Sequence, residues 1–201
     1  MVQRLDMLKE TPSQTAGPYV HIGCVPNFAE IEGVFPTDLG ASMKTGPVAG
    51  TEVTVFGRVF DGTGTPLRDA MIEIWQADGA GIFPGRDNAD PNFTGFGRSA
   101  GDAETGEFRF ETVKPGQVPY PDGRLQAPHI TFWIVARGIN VGLHTRMYFE
   151  DEPEANAADP ILSRVEHQVR VPTLLAKAQG KGRYLFDIHL QGPQETIFFD
   201  I

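Results

Sequence analysis

Apolar residues recur at every second position in several separate stretches, a period that only an extended strand with one buried face can use. Val53, Val55 and Val59 alternate with Thr54, Phe56 and Arg58, and Phe108 and Phe110 alternate with Arg109 and Glu111. Tyr184, Phe186, Ile188 and Leu190 keep the same spacing against Arg183, Asp187 and His189, and residues 141–149 follow it less cleanly. Turn chemistry separates these stretches. Asp61-Gly62-Thr63-Gly64 follows the first, Glu104-Thr105-Gly106 precedes the Phe108 strand, and Lys114-Pro115-Gly116 follows it. Only two short segments read as helix: 152–158, with an early proline, and 172–179, where Pro172 opens a turn and Gly180 closes it. Strands with turn punctuation and no βαβ rhythm predict an all-β chain, a two-sheet β-sandwich or barrel with short helices and long loops. Residues 79–101, with six glycines and two prolines, are too irregular for a sheet and too long for a plain hairpin. Loops of that length commonly serve function or subunit contact.

Length and charge narrow the function. The 201 residues suit one larger all-β domain with ample core. A net charge of -9 and a pI near 5.0 argue against nucleic acid or an anionic membrane as partner, because either needs a basic face. Cys24 is the sole cysteine, so no intrachain disulfide can form. It is either a reactive thiol or an inert one, and with only His21 nearby to carry positive charge the inert reading is favoured. The first ten residues lack the apolar core of a signal peptide, and no apolar run approaches the ~18–20 residues of a membrane span, so a cytoplasmic location is expected.

The stretch Ala127-Pro128-His129-Ile130-Thr131-Phe132 carries the strongest chemical signal. On a strand, positions 129 and 131 point the same way, so a His-x-His pair there would offer two imidazoles to one metal. Here the second position is Thr131, whose neutral hydroxyl is a poor replacement. A lone histidine on a half-buried strand is more often a hydrogen-bonded core residue than a ligand. His144 and Arg146 share a strand face and suit either an anion or, more simply, a solvated or interface ion pair; His21, His167 and His189 show no site-like spacing.

Several longer motifs surround this strand. They are Glu73-Ile-Trp-Gln-Ala-Asp78 leading into Ala80-Gly-Ile-Phe83, Asp90-Pro-Asn-Phe93 leading into Gly95-Phe-Gly-Arg98, Thr112-Val-Lys-Pro-Gly116, and Pro128-His-Ile130. Together they resemble the intradiol ring-cleaving dioxygenases. The segments 10–23, 132–146 and 195–201 are similar to the family's α-type subunits, which pair with a homologous β subunit.

The resemblance implies the sandwich core of that family over residues 1–201, with an N-terminal arm of about residues 1–50 packed on a partner chain. Family members that bind metal hold Fe(III) through two tyrosines and two histidines, hard phenolate oxygens suiting a trivalent cation. Here Phe83 stands at the first tyrosine position, Tyr120 matches the second only if two residues are inserted, His129 matches the first histidine and Thr131 replaces the second. Too few ligands remain to hold iron, so the resemblance implies that Fe(III) belongs to the β partner and that this chain alone is inactive. The plainer roles of Phe83, Phe93, Phe96 and Tyr120 are ordinary packing. The implied reaction is cleavage of 3,4-dihydroxybenzoate by O2 between its hydroxyl-bearing carbons, giving 3-carboxy-cis,cis-muconate, in an oligomer of αβ protomers. By the same resemblance, the loop Thr15, Ala16, Gly17, Pro18 and Tyr19 and the cation of Arg137 reach the partner's iron pocket as substrate-binding residues; packing and an interface ion pair are their plainer alternatives. Two other readings stay open: a single-subunit catechol dioxygenase using Tyr120 and His129, and a β-sandwich scaffold with no part in chemistry.

Overall fold

The computed structural model describes residues 13–200, so the start of the 10–23 motif and of the proposed arm, and Ile201, lie outside the described residues. The alternating segments form strands where expected. β1 (Glu52–Phe60) buries Val53, Val55 and Val59 and turns Thr54, Phe56 and Arg58 outward. β2 is Met71–Trp75, β3 Phe96–Ala100 and β4 Glu107–Val113. The short β5 (Val118–Pro119) and β6 (Leu125–Gln126) pair only with each other. β7 (His129–Val135), β8 (Leu143–Phe149), β9 (Leu175–Ala178), β10 (Arg183–Leu185) and β11 (Ile188–His189) complete the set.

Nine strands form one hydrogen-bonded sheet, eight of them on the path β11-β1-β10-β9-β8-β7-β2-β3 and β4 paired to β1 beside it. The path folds over on itself into two facing layers. Leu175 and Ala176 pair with Tyr148 and Phe149 of β8, whereas Lys177 and Ala178 pair with Leu185 and Tyr184 of β10. β9 therefore belongs to both layers, and the two expected sheets are joined through one strand. Between them, the Phe132 ring of β7 meets Phe108 at 6.0 Å, Phe110 at 6.3 Å and Phe186 at 5.2 Å between centroids, in edge-on or tilted contacts. Phe108, Phe132 and Phe186 are almost wholly buried, and full burial of each such ring stabilises by roughly 1.5–3 kcal/mol.

The expected strand through Tyr184 to Leu190 is interrupted. Around Phe186 and Asp187 the regular ladder to β1 gives way, and the Asp187 carboxylate accepts the Arg58 N–H at 3.1 Å. Gly57 allows this approach, since a Cβ there would stand 2.0 Å from the Phe186 carbonyl oxygen.

Of the remaining expectations one is met and two need correction. The helix expected over 152–158 is present as α2 (Pro153–Ala158, with α1 introduced below). The second expected helix is not an α-helix: Gln168–Leu174 form a 3-10 turn containing Pro172, and the chain then becomes β9. Pairing with β8 and β10 there outweighs the local signals of Pro172 and Gly180. The irregular stretch 79–101 ends in a true strand, β3, antiparallel to β2 with Met71 opposite Ala100 and Trp75 opposite Phe96. Gly97 is required inside it, because a Cβ would press on Met43, Ile74 and Phe110 within 3.0 Å. A helix not expected, α1 (Pro18–Cys24), opens with Pro18 and buries none of its residues. No helix among the described residues is long and apolar enough to cross a membrane.

Candidate functional site

The fold gathers two groups of the residues singled out by sequence, one at each end of β7. At its C-terminal end the chain turns through residues 136–141, and the arm is fastened to that turn. The Thr15 hydroxyl donates to the Ala136 carbonyl at 3.3 Å and accepts the Gly138 N–H at 2.9 Å, while the Val141 N–H donates to the Gln14 carbonyl at 2.7 Å. Ala16, Gly17 and Pro18 then run beside Arg137 and help line a cleft of about 430 Å³. His21, Arg68 and Asp69 line it too. Five of the six expected residues thus meet in one place, and Tyr19 sits next to them with its ring 85% exposed.

Charge in this cleft runs against the whole chain. Two arginines face one aspartate in a protein of net charge -9. Arg137 is 82% exposed and lies 3.5 Å from the Asp69 carboxylate, a surface pair worth little on its own. Its guanidinium is accordingly free to exchange Asp69 for another carboxylate. Asp69 and Arg68 were not foreseeable from spacing, since they lie nearly 70 residues earlier on the approach to β2.

At the other end of β7 stand the residues matched to metal ligands. His129 is buried opposite Tyr148, and Thr131 lies opposite Arg146 on β8 and opposite Trp75 on β2. The His129 Nδ1 is 2.8 Å from the Ala127 carbonyl, so the ring is held as the hydrogen-bonded core histidine that the simpler reading favours. Burial, reinforced by the Arg146 cation, pushes its pKa down to about 4. Burial likewise drives the Tyr148 hydroxyl well above the ordinary tyrosine range, with the Asp159 carboxylate nearby adding to it. Phe83 stacks on Trp75 at 6.0 Å and offers no oxygen. The Tyr120 hydroxyl accepts from Arg164 at 2.6 Å, with that guanidinium also over its ring.

These residues do not suit a ferric ion. A phenol engaged by an arginine, an imidazole anchored to a carbonyl, a threonine and a phenylalanine replace the required donor set, and a second arginine faces the same surface. Among the described residues the Arg146 Nη1 donates to the Gln126 Oε1 at 2.9 Å, an internal bond to a neutral amide.

The long loop is organised by a carboxylate that sequence reasoning passed over. Asp78 is 4% exposed. Its Oδ1 accepts the N–H groups of Ala80 and Ile82, and its Oδ2 that of Asp90, each at 2.9 Å. Asp90 in turn accepts from Ala49 at 2.7 Å and Asn92 at 2.8 Å, which holds its carboxyl below the usual range. This network sets Phe83 against Trp75.

Comparisons with known proteins agree with this architecture. A family model described as Dioxygenase matches residues 25–192. The chain is 44% identical to the protocatechuate 3,4-dioxygenase alpha chain of Pseudomonas putida over 98% of both chains. It is 34% identical to the corresponding beta chain of Burkholderia cepacia, covering 77% of this chain and 71% of that one. Among solved structures, the dioxygenase domain of a dioxygenase and carbohydrate-binding fusion from Streptomyces sp. SirexAA-E is similar with a TM-score of 0.56 and 26% identity, over 94% of this chain and all of that one. With the sandwich, the motifs and these relatives in agreement, the chain belongs to the intradiol ring-cleaving dioxygenase family.

Proposed function

We propose that this chain is the non-iron-binding α subunit of a protocatechuate 3,4-dioxygenase, and that it completes the substrate pocket of a homologous β subunit holding Fe(III). Together the two chains would cleave 3,4-dihydroxybenzoate with O2, both oxygen atoms entering 3-carboxy-cis,cis-muconate, in a cytoplasmic oligomer of αβ protomers. Residues 1–201 act as one domain, with the arm of about residues 1–50 lying on the partner. Tyr19, Ile22, Phe28, Val34, Phe35 and Leu39 leave large apolar groups exposed along that arm, which supports such a contact.

One observation carries the reading. Arg137 lies in the turn beyond Val135, so the length of β7 separates it from His129, roughly 20 Å at about 3.3 Å per residue. It therefore cannot serve the remnant ligand positions of its own chain. An exposed arginine in a small cleft built from a glycine-proline turn is suited instead to a benzoate carboxylate presented by another chain. In the assembled enzyme Gly17 and Pro18 keep that wall low, so that a flat ring can approach the backbone, and Arg137 would hold the carboxylate. The redox chemistry would belong to the partner's metal.

The test is Arg137→Ala in the assembled αβ enzyme. A charge-assisted bond to a carboxylate is worth about 1.5–3 kcal/mol, so KM for 3,4-dihydroxybenzoate should rise roughly ten- to a hundredfold while iron content stays unchanged. An unaltered KM and kcat would remove the proposed role. Chromatography of the chain with and without the β subunit checks the assembly separately.

A further inference from the structure

We propose that Arg146 is a built-in replacement for the metal ion of this chain's relatives: its guanidinium supplies the cation around which the remnant polar residues are arranged, and it bars iron by charge and by occupancy as well as through missing ligands.

The strand register places it there. Trp75, Thr131 and Arg146 lie directly opposite one another on β2, β7 and β8, so their side chains stand in one row on one face. His129 and Tyr148 form the next row on that face, two residues along each strand. Phe83, at the family's first tyrosine position, stacks on Trp75 at the end of the first row. Two of the four positions matched to ligands, Thr131 and His129, therefore lie against the arginine, and a third, Phe83, closes the far end of its row.

Its neighbours suit a half-buried cation. The Gln126 amide, 8% exposed, turns its oxygen toward the guanidinium at 2.9 Å. Tyr148 is fully buried next to it, and the Tyr148 hydroxyl in turn is 3.4 Å from the Asp159 Oδ1. Asp159 also accepts the N–H groups of Ala127, Ile161 and Leu162 at 2.7–2.8 Å, which ties the start of β7 to the turn after α2. An iron brought against this permanent side-chain cation would meet like-charge repulsion, and the two cannot share the position.

This concerns the chain's own fold and stands whether or not Arg137 serves a partner. Its test uses the full-length chain and an iron count. In a Phe83→Tyr, Thr131→His variant that keeps Arg146, iron retained after loading and dialysis should stay near background. Adding Arg146→Ala to that variant should raise bound iron about tenfold or more, with a visible tyrosinate-to-iron absorption and a higher Tm in the presence of the metal. Equal iron in the two variants would overturn the proposal, as would a folded triple variant that takes up none. Should the triple variant fail to fold, single substitutions decide. Arg146→Met should lower Tm clearly and Arg146→Lys should recover most of the loss, whereas a Met variant as stable as the unsubstituted chain would overturn it.

Discussion

Replacing Asp78 tests whether one carboxylate organises the loop between β2 and β3. In Asp78→Ala three partly buried N–H groups, those of Ala80, Ile82 and Asp90, lose their acceptor together. Leaving such a donor unpaired costs about 1–3 kcal/mol, and water entering a surface loop recovers part of it, so a net loss of about 3–5 kcal/mol is expected. Asp78→Asn keeps one oxygen for Ala80 and Ile82 but turns an NH2 toward the Asp90 N–H, for a loss of about 1–2 kcal/mol. With a urea slope of about 2–3 kcal/mol per molar, the midpoint should fall by about 1–2 M for alanine and by less than about 1 M for asparagine. The loop also sets Phe83 on Trp75, so Trp75 emission should shift to the red in the alanine variant before global unfolding. An alanine variant within about 1 kcal/mol of the parent, or one indistinguishable from asparagine, would refute the reasoning.

Acid should destabilise the fold through His129. Its folded pKa lies at about 4, below the 6.5 of the free side chain, so between those values the unfolded chain binds more protons and stability falls as pH drops. About 3 kcal/mol should be lost by pH 4, and His129→Gln should flatten that slope in urea titrations taken at pH 7, 5.5 and 4.5; a parallel slope would remove His129 as the cause. Gly57→Ala should cost about 3 kcal/mol, because the new methyl meets backbone atoms of Phe186 at 2.0 and 2.6 Å and neither strand can yield easily; calorimetric Tm reports it, and an unchanged Tm would contradict the close packing of β1 against that segment. Phe132→Ala should cost about 3–5 kcal/mol by the same assay, since three other aromatic rings would lose their central contact.

Strands half-buried in the ordinary way are legible in the sequence. β1 and β4 show it, because alternate residues face core and solvent. β2 was harder to read as a strand: Ala70, Met71 and Ile72 are consecutive and all buried, which erases the two-residue period. β9 is not legible there, because its strand character comes from neighbours distant in sequence, and Pro172 and Gly180 speak only for the local chain. The family motifs located Arg137 and the Thr15–Tyr19 turn, and the fold brings them together. Their neighbours Arg68 and Asp69 could not be found that way, because no periodicity links residues joined only by tertiary packing. Arg146 was seen as a charged strand residue, but what it faces depends on the register between β7 and β8, which a single sequence does not fix.

β9 gives the molecule a mechanical seam. Its four residues are stitched to one layer at Leu175 and Ala176 and to the other at Lys177 and Ala178, so neither half can peel away without tearing the same short thread. Amide protons on that thread should exchange only when everything melts, and a protease should find no surviving half to leave behind.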